Sequence, residues 1–334
     1  MSHLREFAPK RWLATALAFA TCACLASAAR AQDLEPRAYS EVPVGLNFAI
    51  AGYGYTNGEV SAPASVPLTN ASVEGNGAVL AYARSIDVFG DSGKIDMVLP
   101  WGGVSGSAAF LVPAPGTSNP LEIPRSRRVT GFGDPSLRIS VNLYGAPAMS
   151  LEEFADYKQN VIVGASLQVT APLGQYSADK LLNVGTNRWT FKPEVGISKS
   201  WDPLILELMV AARIYTNNGD FLEGVRRVPE IPADGKNRLE QDPVFSAQAH
   251  VIYPFRRGIW GALDFTYYEG GETTVNGFPT HNAVANTRVG GTLAFPVNRY
   301  NSIKIYGSTG VTERTKSNFD LIGIGWQVRW GAGL

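Results

Sequence analysis

Between Phe319 and Trp330 apolar and polar positions alternate without a break. Ile322, Ile324, Trp326, Val328 and Trp330 share one face of an extended strand, and Gly323, Gly325, Gln327 and Arg329 share the other. The same period of two recurs along the chain. Val44–Tyr55 carries Val44, Leu46, Phe48 and Ile50 on one face. Gly77–Val88 and Lys94–Trp101 follow, and Ser136–Tyr144 sets Leu137, Ile139, Val141 and Leu143 against Arg138, Ser140 and Asn142. Asn160–Ala171, Arg188–Trp201, Leu204–Tyr215, Val244–Phe255, Ile259–Glu269, Asn286–Val297 and Ser302–Thr312 complete a set of about 12 predicted strands. In Leu204–Tyr215, Leu206, Leu208 and Val210 point away from Glu207 and Arg213. An apolar outside with a polar inside, repeated over an even number of strands, predicts an all-β fold: a transmembrane antiparallel β-barrel.

Connection lengths carry the same message independently. Gly90–Gly93, Trp201–Pro203, Pro254–Gly258 and Val297–Asn301 are short, whereas Thr56–Ser72, Gly102–Gly133, Leu173–Asn187, Asn217–Gln241 and Gly270–Ala285 are long and rich in Gly, Pro, Asn and Thr. Short periplasmic turns and long outer loops account for the alternation and place both chain ends in the periplasm. Gly145–Gln159 departs from the rule, and its Ser150-Leu151-Glu152-Glu153 predicts a short capped helix. Aromatic residues near strand ends, among them Trp101, Trp189, Trp201, Tyr253, Tyr267 and Trp330, read as interfacial girdles.

The beginning of the chain reads differently. Arg5, Lys10 and Arg11 precede the apolar run Trp12–Ala28, and Ala29-Arg30-Ala31 offers a cleavage site before Gln32. This predicts a signal peptide at 1–31 and a single barrel domain at 32–334. Both cysteines, Cys22 and Cys24, fall inside the leader, so the exported chain has neither disulfides nor cysteine-bound metal. Without the leader the chain holds 25 basic and 28 acidic residues, a net charge of −3. That balance gives no electrostatic case for a nucleic-acid partner. The lipid bilayer of a Gram-negative outer membrane and the outer-membrane assembly machinery are the expected partners.

Little in the chain points to catalysis. His250 and His281 are the histidines outside the leader, and neither belongs to a metal-ligand spacing; no cofactor is expected. Ser246 and His250 share a strand face, but parity turns both inward, away from a lipid substrate. Strand parity instead collects Arg138, Gln168, Lys192, Glu194, Glu207, Arg213, His250, Asp264, Arg288, Lys304 and Arg329 on the inner wall, with Asp96. Tyr53, Tyr55, Tyr144, Ile205, Met209, Tyr215, Ile252, Trp260, Tyr268 and Tyr306 are assigned to the same wall. Charges mixed with aromatic and aliphatic groups suit a path for a small hydrophobic or aromatic solute. Two other readings stay open: a closed barrel filled by ion pairs with a structural or surface-interaction role, and, third, an outer-membrane hydrolase.

Two stretches carry a family likeness. Gly131-Phe132-Gly133-Asp134-Pro135 opens one strand, and Ala171-Pro172-Leu173-Gly174-Gln175-Tyr176 leads to Leu182-Asn183-Val184-Gly185-Thr186-Asn187-Arg188-Trp189. These segments resemble the outer-membrane transporter family associated with the meta-cleavage pathway of phenol degradation. The resemblance implies a barrel that takes up aromatic or other hydrophobic nutrients. Two details depart from the family pattern: Leu173 replaces a small polar residue, and the chain ends Gly331-Ala332-Gly333-Leu334 rather than on an aromatic.

Overall fold

A computed structural model describes residues 35–59, 68–112, 121–180, 182–221, 236–256, 258–313 and 318–334. The predicted signal peptide lies outside the described residues. Seventeen strands and one short helix follow in chain order: β1 (Leu46–Glu59), β2 (Leu68–Val88), β3 (Asp91–Val112), β4 (Leu121–Phe132), β5 (Ser136–Tyr144), α1 (Leu151–Phe154), β6 (Val161–Thr170), β7 (Thr190–Trp201), β8 (Leu204–Tyr215), β9 (Asn218–Phe221), β10 (Asn237–Gln241), β11 (Val244–Arg256), β12 (Ile259–Gly270), β13 (Thr273–Val275), β14 (Phe278–Pro279), β15 (Val284–Pro296), β16 (Asn301–Glu313) and β17 (Asn318–Gly331).

Each barrel strand pairs antiparallel with its sequence neighbours, and β1 pairs with β17 to close the wall. β4 and β5 both pair with β3, one with its upper half and one with its lower half. They act as one strand interrupted at Gly133-Asp134-Pro135, so the barrel has 12 strands. The remaining strands β9, β10, β13 and β14 form a separate four-stranded sheet over the long-loop end. Closure matters because a strand edge left open in lipid would strand a row of unpaired amides.

The outside of this wall is apolar in the way lipid demands. Leu80, Leu208, Leu263 and Ile324 are 62%, 47%, 59% and 47% exposed, and each is flanked in its own strand by inward residues of much lower exposure. No helix among the described residues is long and apolar enough to cross a membrane; the strands do so. α1 is the predicted capped helix. Ser150 accepts from the Glu153 amide at 3.2 Å, while the Glu153 carboxylate accepts from the Ser150 amide at 2.8 Å.

Three expectations need correction. The connections at 102–133 and 56–72 are largely strand, because β2 and β3 run for 21 and 22 residues and continue as a hairpin beyond the barrel. The inner face of β1 is the opposite of the one assigned. Tyr53 and Tyr55 lie across from Ile324 and Ile322 and share their lipid-facing side, so Leu46, Phe48 and Ile50 are the residues that point inward. Tyr144 is also outside, 66% exposed, where a bulge between Asn142 and Tyr144 shifts the register of β5 against β6.

Candidate functional site

The lumen holds three structures in series: a chain segment, a belt of charges and a cavity. At the short-turn end residues 35–45 fold back into the barrel instead of leaving it. The amide of Val44 donates to the Met149 carbonyl at 2.8 Å, that of Gly45 to the Ser85 carbonyl at 3.1 Å, and Ser85 Oγ accepts from the Leu46 amide at 2.9 Å. Further up, the Tyr39 ring is 1% exposed and packs with Ile162, Met209 and Ala146. It sits in a notch between Gly164 of β6 and Gly196 of β7, where a Cβ at either position would run into the ring. The Tyr39 hydroxyl lies 3.2 Å from Glu194 Oε1 and 3.3 Å from Ser166 Oγ. The amide of Arg37 donates to Glu207 Oε2 at 2.6 Å, and its guanidinium stands 5.5 Å from the Trp260 ring centre.

Above this segment runs the charged belt. Arg138 donates through Nη1 to Glu35 and through Nε to Asp96 Oδ2 at 3.1 Å, while Lys94 lies 3.8 Å from Asp96. Lys192 pairs with Glu194 at 3.1 Å on β7. His250 Nδ1 and Asp264 Oδ1 are 2.6 Å apart on paired strands, and Thr292 donates to the other Asp264 oxygen at 2.8 Å. His250 faces Glu207 across the β8–β11 pair. Arg288 donates to Ser308 Oγ at 2.9 Å, and Lys304 stands 5.5 Å from the Tyr306 ring centre. Such groups are tolerated in a buried lumen because each carboxylate or cation has a partner; an isolated buried charge costs several kcal/mol. Burial alone would raise the Glu35 carboxyl, but Arg138, Lys192 and Lys94 outweigh it and hold that group well below the usual carboxylate range.

The structure brings Arg138, Lys192, Glu194, Glu207, Arg213, His250, Asp264, Arg288 and Lys304 into the lumen, and Gln168 lies between Arg138 and Lys192 in register. Arg329 is not brought together with them. It is exposed at the rim, where Nε donates to the Arg299 carbonyl in the β15–β16 turn at 2.9 Å. Toward the long-loop end a cavity of about 490 Å³ opens above the belt. Its lining is mixed. Val79, Val98, Pro100 and Val104 with the glycines of β1–β3 form an apolar strip that adjoins Asp96 on the same face of β3; Asp96 and its cross-strand neighbour Arg138, with Gln168, Thr170 and Arg213, form the polar part. Sequence reasoning missed this strip and the inserted segment. The apolar strip was detectable only as the weak contrast between the two faces of β1–β3, and residues 35–45 carry no periodic signal.

The segments that carry the family likeness meet at the long-loop end, around Asp134. Its Oδ1 accepts from the Gly174 amide at 2.9 Å, and its Oδ2 accepts from the Thr186 amide at 2.9 Å and the Thr186 hydroxyl at 2.6 Å. Gly174 and Gly185 approach so closely that a Cβ on either would meet Asp134 or its neighbours. Asn187 then donates to Asn218 at 2.8 Å, and the Arg188 guanidinium stacks 4.4 Å from the ring centre of Tyr215, an inward residue. These residues form a clasp that fixes the loop over the cavity.

Among solved structures the fold is similar to a COG4313 outer membrane channel from Pseudomonas putida F1, at TM-score 0.70 and 20% identity, covering 89% of this chain and 100% of that one. The transport unit of the autotransporter AIDA-I from Escherichia coli gives TM-score 0.49 at 10% identity over 92% and 95% of the two chains. The translocator domain of NalP from Neisseria meningitidis gives 0.48 at 8% over 93% and 98%. No curated protein matches the chain. The family model described as putative MetA-pathway of phenol degradation matches residues 54–328, from the first strand of the barrel to the last, and the chain belongs to that family.

Proposed function

We propose that this barrel is an outer-membrane channel for passive uptake of small hydrophobic or aromatic compounds, with no catalytic step. The mixed cavity carries the reading: an apolar, glycine-lined strip to accept a nonpolar body, beside a cluster of charges and hydroxyls to orient it. Family membership and the channel-like fold support the same reading. The long loops face the outside and the short turns, with both chain ends, face the periplasm, so the cavity is the outer chamber and residues 35–45 lie across the inner path. Lys192, Glu194, Glu207, His250 and Asp264 border that path with Arg288 and Lys304, Arg138 and Gln168 stand at its upper end, and Arg213 lines the outer chamber; Arg329 marks the periplasmic rim. Against a hydrolase, His250 Nε2 has no hydrogen-bond partner, so Ser246 is not engaged as a nucleophile.

A closed scaffold is the competing reading, favoured by the segment that fills the inner half of the lumen. Uptake of phenol and of glucose into proteoliposomes holding the refolded protein separates the two. A channel of the proposed kind admits phenol faster than protein-free vesicles do and leaves glucose excluded. Equal rates with and without protein would refute uptake, and recovery of the expressed protein in the soluble periplasm would refute the membrane placement.

A further inference from the structure

Glu35 differs from every other charge in the belt. Its hydrogen-bonded partner, Arg138, is borne by the barrel wall, on β5, whereas Glu35 is borne by the inserted segment. Its carboxylate forms part of the cavity surface, where Arg138 holds it, and Lys192, Lys94 and Lys304 are close enough to act on it electrostatically. Arg138 already shares Asp96 with Lys94. If Glu35 moves away, Arg138 keeps one carboxylate contact and loses the other while staying fixed in a buried, low-dielectric wall. A guanidinium in that position favours a replacement carboxylate over water, and its planar fork suits one.

The apolar strip of the same cavity runs on from this seat along β3 and its neighbour β2. Val79, Val98, Pro100 and Val104 present no polar side-chain atoms to a ligand. At about 490 Å³ the space falls in the range of small-molecule pockets, ~300–1,000 Å³. We propose that the cavity is a binding site for amphipathic carboxylates, an aromatic or alkyl body carrying one carboxylate, and that Glu35 is an internal stand-in occupying the carboxylate seat until such a compound displaces it. This names a substrate class within the uptake reading above and, for transport, rests on it.

The test compares 4-phenylbutyrate with 4-phenylbutan-1-ol, which shares the body and lacks the charge. Calorimetric titration uses the full exported chain refolded into nanodiscs, with empty nanodiscs as the blank. Glu35→Gln removes the internal competitor without touching the wall, so phenylbutyrate binds at least tenfold tighter than to the wild type while the alcohol is unchanged. Arg138→Gln abolishes the preference for the acid over the alcohol. Should Arg138→Gln lose heat-modifiable gel migration, the Glu35→Gln comparison decides by itself. Equal changes for both probes, no change, or weaker phenylbutyrate binding in Glu35→Gln would overturn the site. Uptake of the two probes into proteoliposomes is read separately. A barrel that binds the acid in this pattern yet moves neither probe keeps the site and refutes uptake; one that moves both alike without the binding pattern keeps uptake and refutes the site.

Discussion

Tyr39 shows how much one side chain decides in this lumen. Its ring is the part of residues 35–45 that enters the glycine notch between β6 and β7, so it anchors the segment by packing as well as through its hydroxyl. Truncating a buried aromatic to alanine costs about 3 kcal/mol. Tyr39→Ala is therefore expected to weaken seating by that order and raise single-channel conductance, with barrel folding unchanged because no strand is touched. Gly196→Val tests the same notch from the other side and should raise conductance too; if both variants conduct like the wild type, the ring does not hold the segment. Glu41 adds a pH dependence. It is buried at the foot of the segment, and burial pushes its carboxyl up to about 7, with the Val42 amide and the Ser92 hydroxyl offsetting part of the rise. A carboxyl with a higher pKa in the seated state favours seating while protonated. Seating is then strongest below the ordinary value of 4.5, weakens as pH rises, and reaches its minimum once pH passes about 7. Conductance should climb across that window in the wild type and stay flat in Glu41→Gln; a slope that survives the substitution would assign it to another group.

At the scale of strands, alternation distinguishes two faces but does not label them. In β8 the label is plain, because Glu207 and Arg213 sit on one face and Leu206 and Leu208 on the other. From Phe48 to Tyr55 of β1 both faces are apolar, aromatic or glycine, and the inward side needs its aliphatic residues while tyrosines suit the membrane side. That is why Phe48 and Ile50, and not Tyr53 and Tyr55, face inward. The register can be checked by substitution. Arg at Leu80, in the lipid-facing band, should cost ~2–4 kcal/mol in a refolding titration, and Arg at the adjacent inward Val79 distinctly less. Equal costs would refute the register of β2. The motif segments were legible as a family mark but not as a structure, since nothing in Gly133-Asp134-Pro135 alone says that one carboxylate will gather two amides and a hydroxyl from residues 174 and 186. Asp134→Ala removes charge-assisted bonds each of the order of 1.5–3 kcal/mol. The loop 171–189 should become protease-sensitive while the barrel stays heat-modifiable, and continued resistance would mean that Asn183 and Asn187 hold the loop without it.

For the whole molecule, the sequence carries the barrel because closure, strand number and the lipid band are repeated in every hairpin. It does not carry the contents of the lumen, which depend on where one aperiodic segment goes. Whether the barrel is a channel turns on that segment. Removing residues 32–41 leaves the Val44 and Gly45 backbone ties to the wall intact and takes Glu35, Arg37, Tyr39 and Glu41 out of the lumen. The wall then presents Lys94, Arg138, Lys192, Arg213 and Lys304 against Asp96, Glu194, Glu207 and Asp264, with Arg288 adding to the positive side. A narrow pore with low-dielectric walls magnifies such an imbalance. The truncated protein should therefore conduct several-fold more than the full chain and prefer anions, read from reversal potentials in planar bilayers under a salt gradient. Adding Lys192→Gln and Arg138→Gln should remove most of the anion preference and move the reversal potential toward zero, because four cations then face four carboxylates. Suppose instead that the truncated barrel refolds, migrates as a heat-modifiable species and still does not conduct. The wall's own ion pairs would then fill the lumen, and the closed scaffold would replace the channel as the account of this fold.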